Sequence, residues 1–380
     1  MDPARAALSS SGLGRYGRRS GEGGNTPGYL FVLPDLRVPW PARTNPHVGS
    51  ARRHAKDWAR EMGMLSSFGT WSEDTFDSDD WPLFAALTHP DADREQLHRV
   101  ALWDVCLLAL DDYFVAAYKN TRDPIGAKVF VERLREFMPE PGSTTPTPTN
   151  QVERGLADVW ARTAPDMPPD VRSRFPDHVM EFARSNLWEL GNNIGNHVVD
   201  PIEYLDQRRR TAGTELSTGL AAYTLGKALS PGILRSGPMS ALNNAFADSV
   251  GLRNDIHSYR KEIELERDVN NGVLALQHFL GSDVQHAVDF AHDLYRARIG
   301  EFEHTVAQLP AFFAEQALSA VERDGVLRYV KSLKDWMAGD NQWYRMTGRY
   351  TRHWTTPPRT SALSGPSGIG TTAARIASRR

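Results

Sequence analysis

Apolar residues recur along most of the chain at intervals of three and four positions, the spacing of one face of an α-helix. The strongest such pattern lies at 91–119, where Leu97, Val100, Val105 and Leu108 fall near one face. Runs of alternating polarity separated by hairpin turns do not occur in the sequence. The pattern therefore predicts an all-α fold of about ten helices in one domain. Besides 91–119, helices are predicted at 47–65, 152–162, 171–191, 201–210, 240–262, 270–280, 283–309 and 312–350.

Prolines and local composition mark the limits of this domain. Several prolines prevent helix formation in 29–43, which is expected to be extended. A Pro- and Thr-rich stretch at 139–150 predicts a loop. Residues 1–28 and 356–380 are rich in Ser, Gly and Arg, so we expect both to be disordered extensions of a single domain at 29–355.

Overall composition excludes several classes of protein. The 380 residues are 40% hydrophobic and 24% charged, which is ordinary for a globular protein, and a net charge of −3 gives no indication of a nucleic-acid partner. Cys106 is the only cysteine, which excludes an intramolecular disulfide and a cysteine-rich zinc site. No apolar run reaches the roughly 18 residues of a membrane span, and the N-terminus has no signal-peptide pattern. We therefore expect a cytoplasmic protein.

Three oxygen-bearing side chains stand at intervals of four residues in the segment 254–262. Asn254, Ser258 and Glu262 occupy positions i, i+4 and i+8, so an α-helix places them in one row. Amide, hydroxyl and carboxylate oxygens suit a hard divalent ion such as Mg²⁺. Since this spacing also arises by chance, a polar helix face without a ligand is the alternative. Lys261 lies beside the row and is placed to meet a phosphate group.

Two adjacent acidic residues lie near the end of the strongest helical pattern, at 91–119. Asp111 and Asp112 directly follow the apolar run 107–110. Two carboxylates at such a position are costly unless they are solvated, paired or bound to metal. The alternative is that the helix simply reaches the surface there. Acidic clusters on two separate helices of a bundle would flank a cavity with metal sites that grip a diphosphate.

Basic and aromatic residues complete the candidate site. Three consecutive arginines stand at 208–210, and about one of them would face inward on a helix. Arg349 and Tyr350 are adjacent donors for phosphate oxygens. They follow aromatic residues at 336, 343 and 344, which suit the wall of an apolar cavity that stabilises carbocations. Solvated basic surface and ordinary core packing are the alternatives for these residues.

Together these residues resemble the motifs of bacterial class I terpene synthases. Asp111–Asp112, an arginine 46 residues before the N-D-x-x-S-x-x-x-E segment at 254–262, and Arg349–Tyr350 occur in that family's order and spacing. The similarity covers about residues 29–355 and is greatest to the N-terminal domain of germacradienol/geosmin synthases. The segments that resemble this group most closely lie at 33–43, 58–65, 271–276 and 302–304.

The resemblance implies a reaction and a set of site residues. A linear isoprenyl diphosphate, with farnesyl diphosphate expected, would be ionised and cyclised to a sesquiterpene hydrocarbon or alcohol. Three Mg²⁺ ions are expected between Asp111, assisted by Asp112, and the row of Asn254, Ser258 and Glu262. The diphosphate would be held by Arg208 or Arg209, Lys261, Arg349 and Tyr350, and Trp336 would form part of the cavity wall. A homodimer, common in the family, is also expected.

Two departures from the family pattern affect this interpretation. Val115 and Ala116 stand where the family carries a further acid, so we expect this side to rely on Asp111 and to bind metal mainly together with the diphosphate. An acid restored at Ala116 is expected to lower the Mg²⁺ requirement. The chain also has no second synthase-like domain, so a complete geosmin pathway in one chain is not expected.

Two other functions remain open at this point. A chain-elongating prenyl diphosphate synthase would share the fold, Mg²⁺ and the diphosphate, but such enzymes carry a second aspartate-rich motif where this chain has Asn254, Ser258 and Glu262. A degenerate, non-catalytic isoprenoid-binding protein is favoured only by the missing acid at Val115 and Ala116.

Overall fold

The computed structural model describes residues 30–140, 142–226 and 229–350, and these residues form α-helices without any β-strand. The helices are α1 Val48–Glu61, α2 Glu73–Asp79, α3 Trp81–Thr88, α4 Arg94–Phe114, α5 Pro124–Leu134, α6 Gln151–Thr163, α7 Pro169–Gly195, α8 Pro201–Thr211, α9 Thr214–Leu225, α10 Pro231–Leu234, α11 Gly237–Tyr259, α12 Gly272–Leu280, α13 Val284–Glu315 and α14 Ala320–Tyr344. The predicted all-α fold is confirmed. The extensions predicted at 1–28 and 356–380 lie outside the described residues.

Helix boundaries differ from the prediction at one proline. The prediction of a break at 309–312 is wrong, because α13 continues through Pro310 to Glu315. Leu309, Phe312 and Phe313 are buried on either side of this proline. Their packing holds the backbone helical where proline alone would disfavour it. The sequence did not predict helices α2, α3 and α9, so the expected number of about ten is too low for the described residues.

Local sequence signals fix the starts of the helices that surround the site. Asp93 caps α4 in a capping box with Gln96, and Asp200 caps α8, whose first residue is a proline. The side chain of Asn271 accepts hydrogen bonds from the first turn of α12. Such caps satisfy the amide groups that a helix start leaves without partners, so they define where each site helix begins.

The helices pack in two groups around a central space. The first hydrophobic cluster centres on α4, with Trp103 among its fully buried side chains, and the second centres on α11, α13 and α14. Helices α14 and α3 approach most closely at Gly339, where an added Cβ would lie 2.1 Å from the carbonyl oxygen of Leu87. This contact requires glycine and holds α14 against the first group.

Both helices that carry predicted metal ligands change geometry at the candidate site: Asp111 precedes one π-helical segment, and Glu262 lies within the other. Helix α4 passes into a π-helical segment at Val115–Lys119, and α11 passes into another at Arg260–Glu266. Segments of this kind occur frequently at functional sites, because the wider turn redirects side chains. None of the described helices is long and apolar enough to cross a membrane.

Candidate active site

A cavity of about 200 Å³, here called the central cavity, lies among α4, α8, α9, α11 and α14. Charged and polar side chains gather at one end, where the π-helical segments begin. Aliphatic and aromatic side chains form the remaining walls: Trp81, Phe84, Leu107, Leu108, Leu216, Leu220, Val250, Trp336 and Trp343. An anionic head group and a hydrocarbon chain of one molecule would each meet a matching surface.

The two adjacent aspartates of α4 have different environments. Asp111 lines the central cavity, and its carboxylate makes no hydrogen bond with a described residue. Asp112 accepts two hydrogen bonds from Arg349, at 2.7 and 3.0 Å, and one from Trp71 Nε1 at 2.7 Å. Burial alone would raise the pKa of Asp112, but the Arg349 guanidinium outweighs it and holds that pKa below its usual range. Asp111 is therefore the carboxylate available to a ligand.

Asn254 is held on both sides of its amide. Arg208 Nη2 donates to Asn254 Oδ1 over 2.6 Å, and Asn254 Nδ2 donates to the hydroxyl of Tyr344 at 2.6 Å and of Tyr350 at 3.3 Å. The amide is thus oriented before any ligand binds. An ion that took this oxygen would have to share it with Arg208 or displace the guanidinium.

Asn271 connects the other two members of the row. Its Nδ2 donates to Glu262 Oε2 at 2.9 Å and lies 3.5 Å from Ser258 Oγ. Glu262 lines the central cavity, whereas Ser258 is buried behind it. Burial, with a contribution from the nearby Asp255, raises the pKa of Glu262 to about 8. A cation beside Glu262 would keep this carboxyl ionised at neutral pH.

The donor chemistry fits a hard metal ion. Oxygen atoms of Asp111, Asn254, Ser258 and Glu262 are of the type that Mg²⁺ prefers. Within the described ranges no three His, Cys, Asp or Glu side chains cluster as a metal site, so protein carboxylates alone do not form a complete ligand set. The residues present therefore fit ions that are held jointly by the protein and an oxygen-rich ligand.

The structure separates the arginines that the sequence left as alternatives. Arg208 lines the central cavity, has a side chain that is 12% exposed, and pairs with Asp255 at 2.9 Å besides holding Asn254. Arg209 pairs with Asp248 at 2.7 Å and does not line the central cavity. It lines instead a space of about 390 Å³ behind α8 and α9, here called the second cavity. The structure thus does not bring Arg209 to the candidate site.

The C-terminal pair and Lys261 all line the central cavity. Arg349 pairs with Asp112 at 2.7 Å and with Asp79 at 3.3 Å, and its guanidinium lies 5.0 Å from the centre of the Trp81 ring. Lys261 pairs with Glu266 at 2.7 Å. These cations are balanced by carboxylates, so an arriving diphosphate would exchange with protein partners for them.

The positions where the family carries a further acid, Val115 and Ala116, begin the π-helical segment that follows α4. Val115 lines the central cavity, and Ala116 is not among the lining residues. The expectation that an acid restored at Ala116 would reach the metal is therefore not supported by the geometry, because the first residue of the segment, not the second, faces the cavity.

Several site residues were missed at the sequence level. The side chain of Lys119 is 8% exposed, lines the central cavity and pairs with Glu189 at 2.5 Å and Asp268 at 2.8 Å. It stands eight positions after Asp111, a spacing that would have placed it on the same helix face. Asp255 and Asn271, which position Arg208 and Glu262, carried no comparable signal because their partners lie on other elements of the fold.

Trp336 lies in the apolar wall, as the sequence analysis expected. It is buried and makes edge-to-face contacts with Phe84, at a centroid distance of 5.5 Å, and with Phe246, at 5.1 Å. These contacts fix the orientation of the indole ring beside the cavity.

Comparison with known proteins gives one consistent family. The sequence profile described as "Terpene synthase family 2, C-terminal metal binding" matches residues 103–301, just over half of the chain. Pristinol synthase of Streptomyces pristinaespiralis is 29% identical over 317 residues, which cover 83% of this chain and 84% of that protein. The 7-epi-alpha-eudesmol synthase of Streptomyces viridochromogenes, named as cyclising (2E,6E)-farnesyl diphosphate, is 26% identical over 338 residues, covering 87% and 96%.

Solved structures agree on the fold. The crystal structure of germacradien-4-ol synthase from Streptomyces citricolor superposes with a TM-score of 0.73 at 22% identity, covering 82% of this chain and all of that one. The profile match runs from within α4 to within α13 and therefore includes both predicted ligand groups. The chain belongs to terpene synthase family 2, a metal-binding family of class I terpene synthases.

Proposed function

We propose that this protein is a sesquiterpene cyclase that ionises farnesyl diphosphate with Mg²⁺ and closes the resulting carbocation into a hydrocarbon or an alcohol. One observation carries the proposal. Asp111 on α4, Asn254 on α11 and Glu262 in the π-helical segment after α11 face the same end of a cavity whose other walls are mainly apolar and aromatic. Family membership and a relative named for farnesyl diphosphate cyclisation support the same substrate.

The polar end would hold the diphosphate and the metal. Asp111 on one side and Asn254 and Glu262 on the other are the proposed ligands of three Mg²⁺ ions, with Asp112 acting through Arg349. Ser258 does not line the cavity in the free protein, so it would join this set only after the side chains in front of it move. Bound metal would supply Lewis-acid stabilisation of the departing diphosphate. Arg208, Lys261, Arg349 and Tyr350 would donate to its oxygens, exchanging the carboxylate and amide partners that they hold in the free protein.

The apolar walls would govern the ring closures after ionisation. Phe84, Trp336 and Trp81 present rings to the cavity, and the faces of such rings stabilise positive charge. A dry cavity also keeps water away from the cation until the ring closures are complete. At about 200 Å³ the cavity is smaller than typical sites for ligands of this size, about 300–1,000 Å³. Side chains at its polar end would therefore rearrange when the substrate binds.

Product analysis tests the proposal against both alternatives. Purified protein is incubated with Mg²⁺ and geranyl, farnesyl or geranylgeranyl diphosphate, and with farnesyl plus isopentenyl diphosphate. We expect diphosphate release and a C15 hydrocarbon or alcohol, detected by gas chromatography–mass spectrometry, from farnesyl diphosphate. A longer prenyl diphosphate would establish chain elongation, and saturable binding without consumption would establish a non-catalytic binder. Glu262→Ala serves as the inactive control.

We further propose a homodimer, which rests on the resemblance to the family alone. Size-exclusion chromatography with light scattering would give a mass close to twice that of the chain, and a monomeric mass would refute this proposal.

A further inference from the structure

A third aspartate of α4 lies within the hydrocarbon end of the central cavity. Asp104 stands seven positions before Asp111, and Leu107, Leu108 and Asp111 follow it along the cavity-facing stripe of the helix. Only 7% of Asp104 is exposed, and neither carboxyl oxygen makes a hydrogen bond with a described residue. Its Oδ2 atom is fully buried.

This environment is costly for a carboxyl group. A buried polar group without a partner destabilises the folded protein, and an apolar residue would fill the position at lower cost. Burial raises the pKa of Asp104 well above its usual range and so favours the protonated, neutral form of the carboxyl group. Asp340, another buried acid of the cavity wall, differs because it is paired with Arg253.

Position separates Asp104 from the metal-binding end. Seven residues of α-helix rise by about 10 Å, so Asp104 lies roughly that far along the cavity from the level of Asp111. The side chains of Leu107 and Leu108 stand between these levels. Asp104 is therefore placed beside the hydrocarbon part of a bound substrate and away from its diphosphate.

We propose that Asp104 is a catalytic acid that protonates a neutral cyclic polyene formed in the cavity and thereby starts a second ring closure. The proposal rests on the proposed cyclase function. The polyene arises when the first cyclic cation loses a proton to the released diphosphate. The O–H bond of Asp104 then breaks, and its proton forms a C–H bond with one carbon of a C=C bond. The other carbon becomes the cation, opposite the new carboxylate.

The cycle closes without any further reagent. After the second ring has formed, the Asp104 carboxylate removes a proton from a carbon next to the cation. The electron pair of that C–H bond becomes a C=C bond, and the carboxylic acid is restored. The reaction consumes no net proton and changes no oxidation state. Between turnovers the carboxyl proton exchanges with solvent when the cavity opens.

Deuterium labelling tests this role. The wild-type enzyme and Asp104→Asn, which preserves side-chain shape but carries no acidic proton, are incubated with farnesyl diphosphate and Mg²⁺ in D₂O. We expect the wild-type product to carry one carbon-bound deuterium. Asp104→Asn should still release diphosphate but accumulate the unlabelled polyene. Formation of the wild-type product should fall by at least about 100-fold, the usual contribution of a general acid.

Asp104→Leu provides a second test that does not depend on the folding of the asparagine variant. Because leucine removes the unpartnered carboxyl group, this variant should unfold at a higher temperature than the wild type and stop at the same polyene. A wild-type product without carbon-bound deuterium, or an unchanged labelled product from either variant, would overturn the role of Asp104 and leave the cyclase function intact. Failure of the wild type to consume farnesyl diphosphate would overturn both.

Discussion

Because Asp111 and Asp112 have different environments, replacing each of them by asparagine should affect different properties of the protein. Asp112→Asn removes a charge that faces Arg349 and leaves this buried guanidinium with Asp79 at 3.3 Å as its remaining carboxylate. Asp111→Asn alters a side chain that has no hydrogen-bond partner within the described residues. The first change should therefore act mainly on stability, and the second mainly on turnover.

The magnitudes follow from these contacts. Removing one member of a buried ion pair costs about 3–5 kcal/mol, and the remaining Asp79 places Asp112→Asn near the lower limit. Asp111→Asn should change the free energy of unfolding by no more than about 0.5 kcal/mol. For turnover, Asp112→Asn acts through Arg349 and should cost about 10-fold to 100-fold, as changes to groups that support a metal site do. Loss of the proposed ligand in Asp111→Asn should cost more.

Two measurements on each variant check the prediction. Urea-induced unfolding followed by circular dichroism gives the free energy of unfolding, and diphosphate release gives turnover. Arg349 holds the pKa of Asp112 below its unfolded value, so the pair stabilises the fold above about pH 4 and this contribution is lost as the pH falls below that value. The stability difference from Asp112→Asn should shrink accordingly. A stability loss at Asp111 equal to that at Asp112, or a smaller turnover loss at Asp111, would refute the reasoning.

Three further predictions concern the other site residues. Glu262→Ala should abolish turnover while the far-UV circular dichroism spectrum stays unchanged, and wild-type turnover would contradict its role as a ligand. Arg208→Lys should reduce turnover at least about 10-fold because lysine cannot reproduce the forked contacts to Asn254 and its neighbours. Arg209→Lys, the matched control on the same helix, should stay near wild type, and equal losses would contradict the assignment. Val115→Asp should lower the Mg²⁺ concentration for half-maximal rate, whereas Ala116→Asp should not, because only the first position faces the central cavity. The reverse order would show that the π-helical segment changes direction when metal binds.

Much of the fold could be predicted from the spacing of apolar residues, because long amphipathic helices repeat their pattern many times. The limits of that approach appear at Pro310, where buried neighbours keep α13 continuous against the preference of the proline. The same limits appear at α9, whose apolar residues do not form one clear periodic stripe. In both cases packing between distant segments decides the outcome, and sequence spacing does not contain it.

In the candidate site, too, sequence spacing predicts some features and contacts between distant segments decide others. Positions within one helix, such as Asn254 and Glu262, could be grouped by counting residues. Counting residues could not decide whether Arg208 or Arg209 faces the central cavity, because that depends on where Asp255 and Asp248 lie in the folded chain. Asp104 could not be predicted as a site residue, because a single acid within an apolar run forms no recognisable sequence pattern.

The second cavity has a consequence for the length of the prenyl diphosphate that the central cavity could hold. Phe246 lines the second cavity, and its ring stands against Trp336, which lines the central cavity. One pair of rings therefore stands between a space of about 200 Å³ and another of about 390 Å³. At this point side chains separate the two spaces, whereas elsewhere α9 lies between them. A smaller side chain at Phe246 is therefore expected to lengthen the proposed substrate pocket towards the second cavity, with the metal-binding end left unchanged.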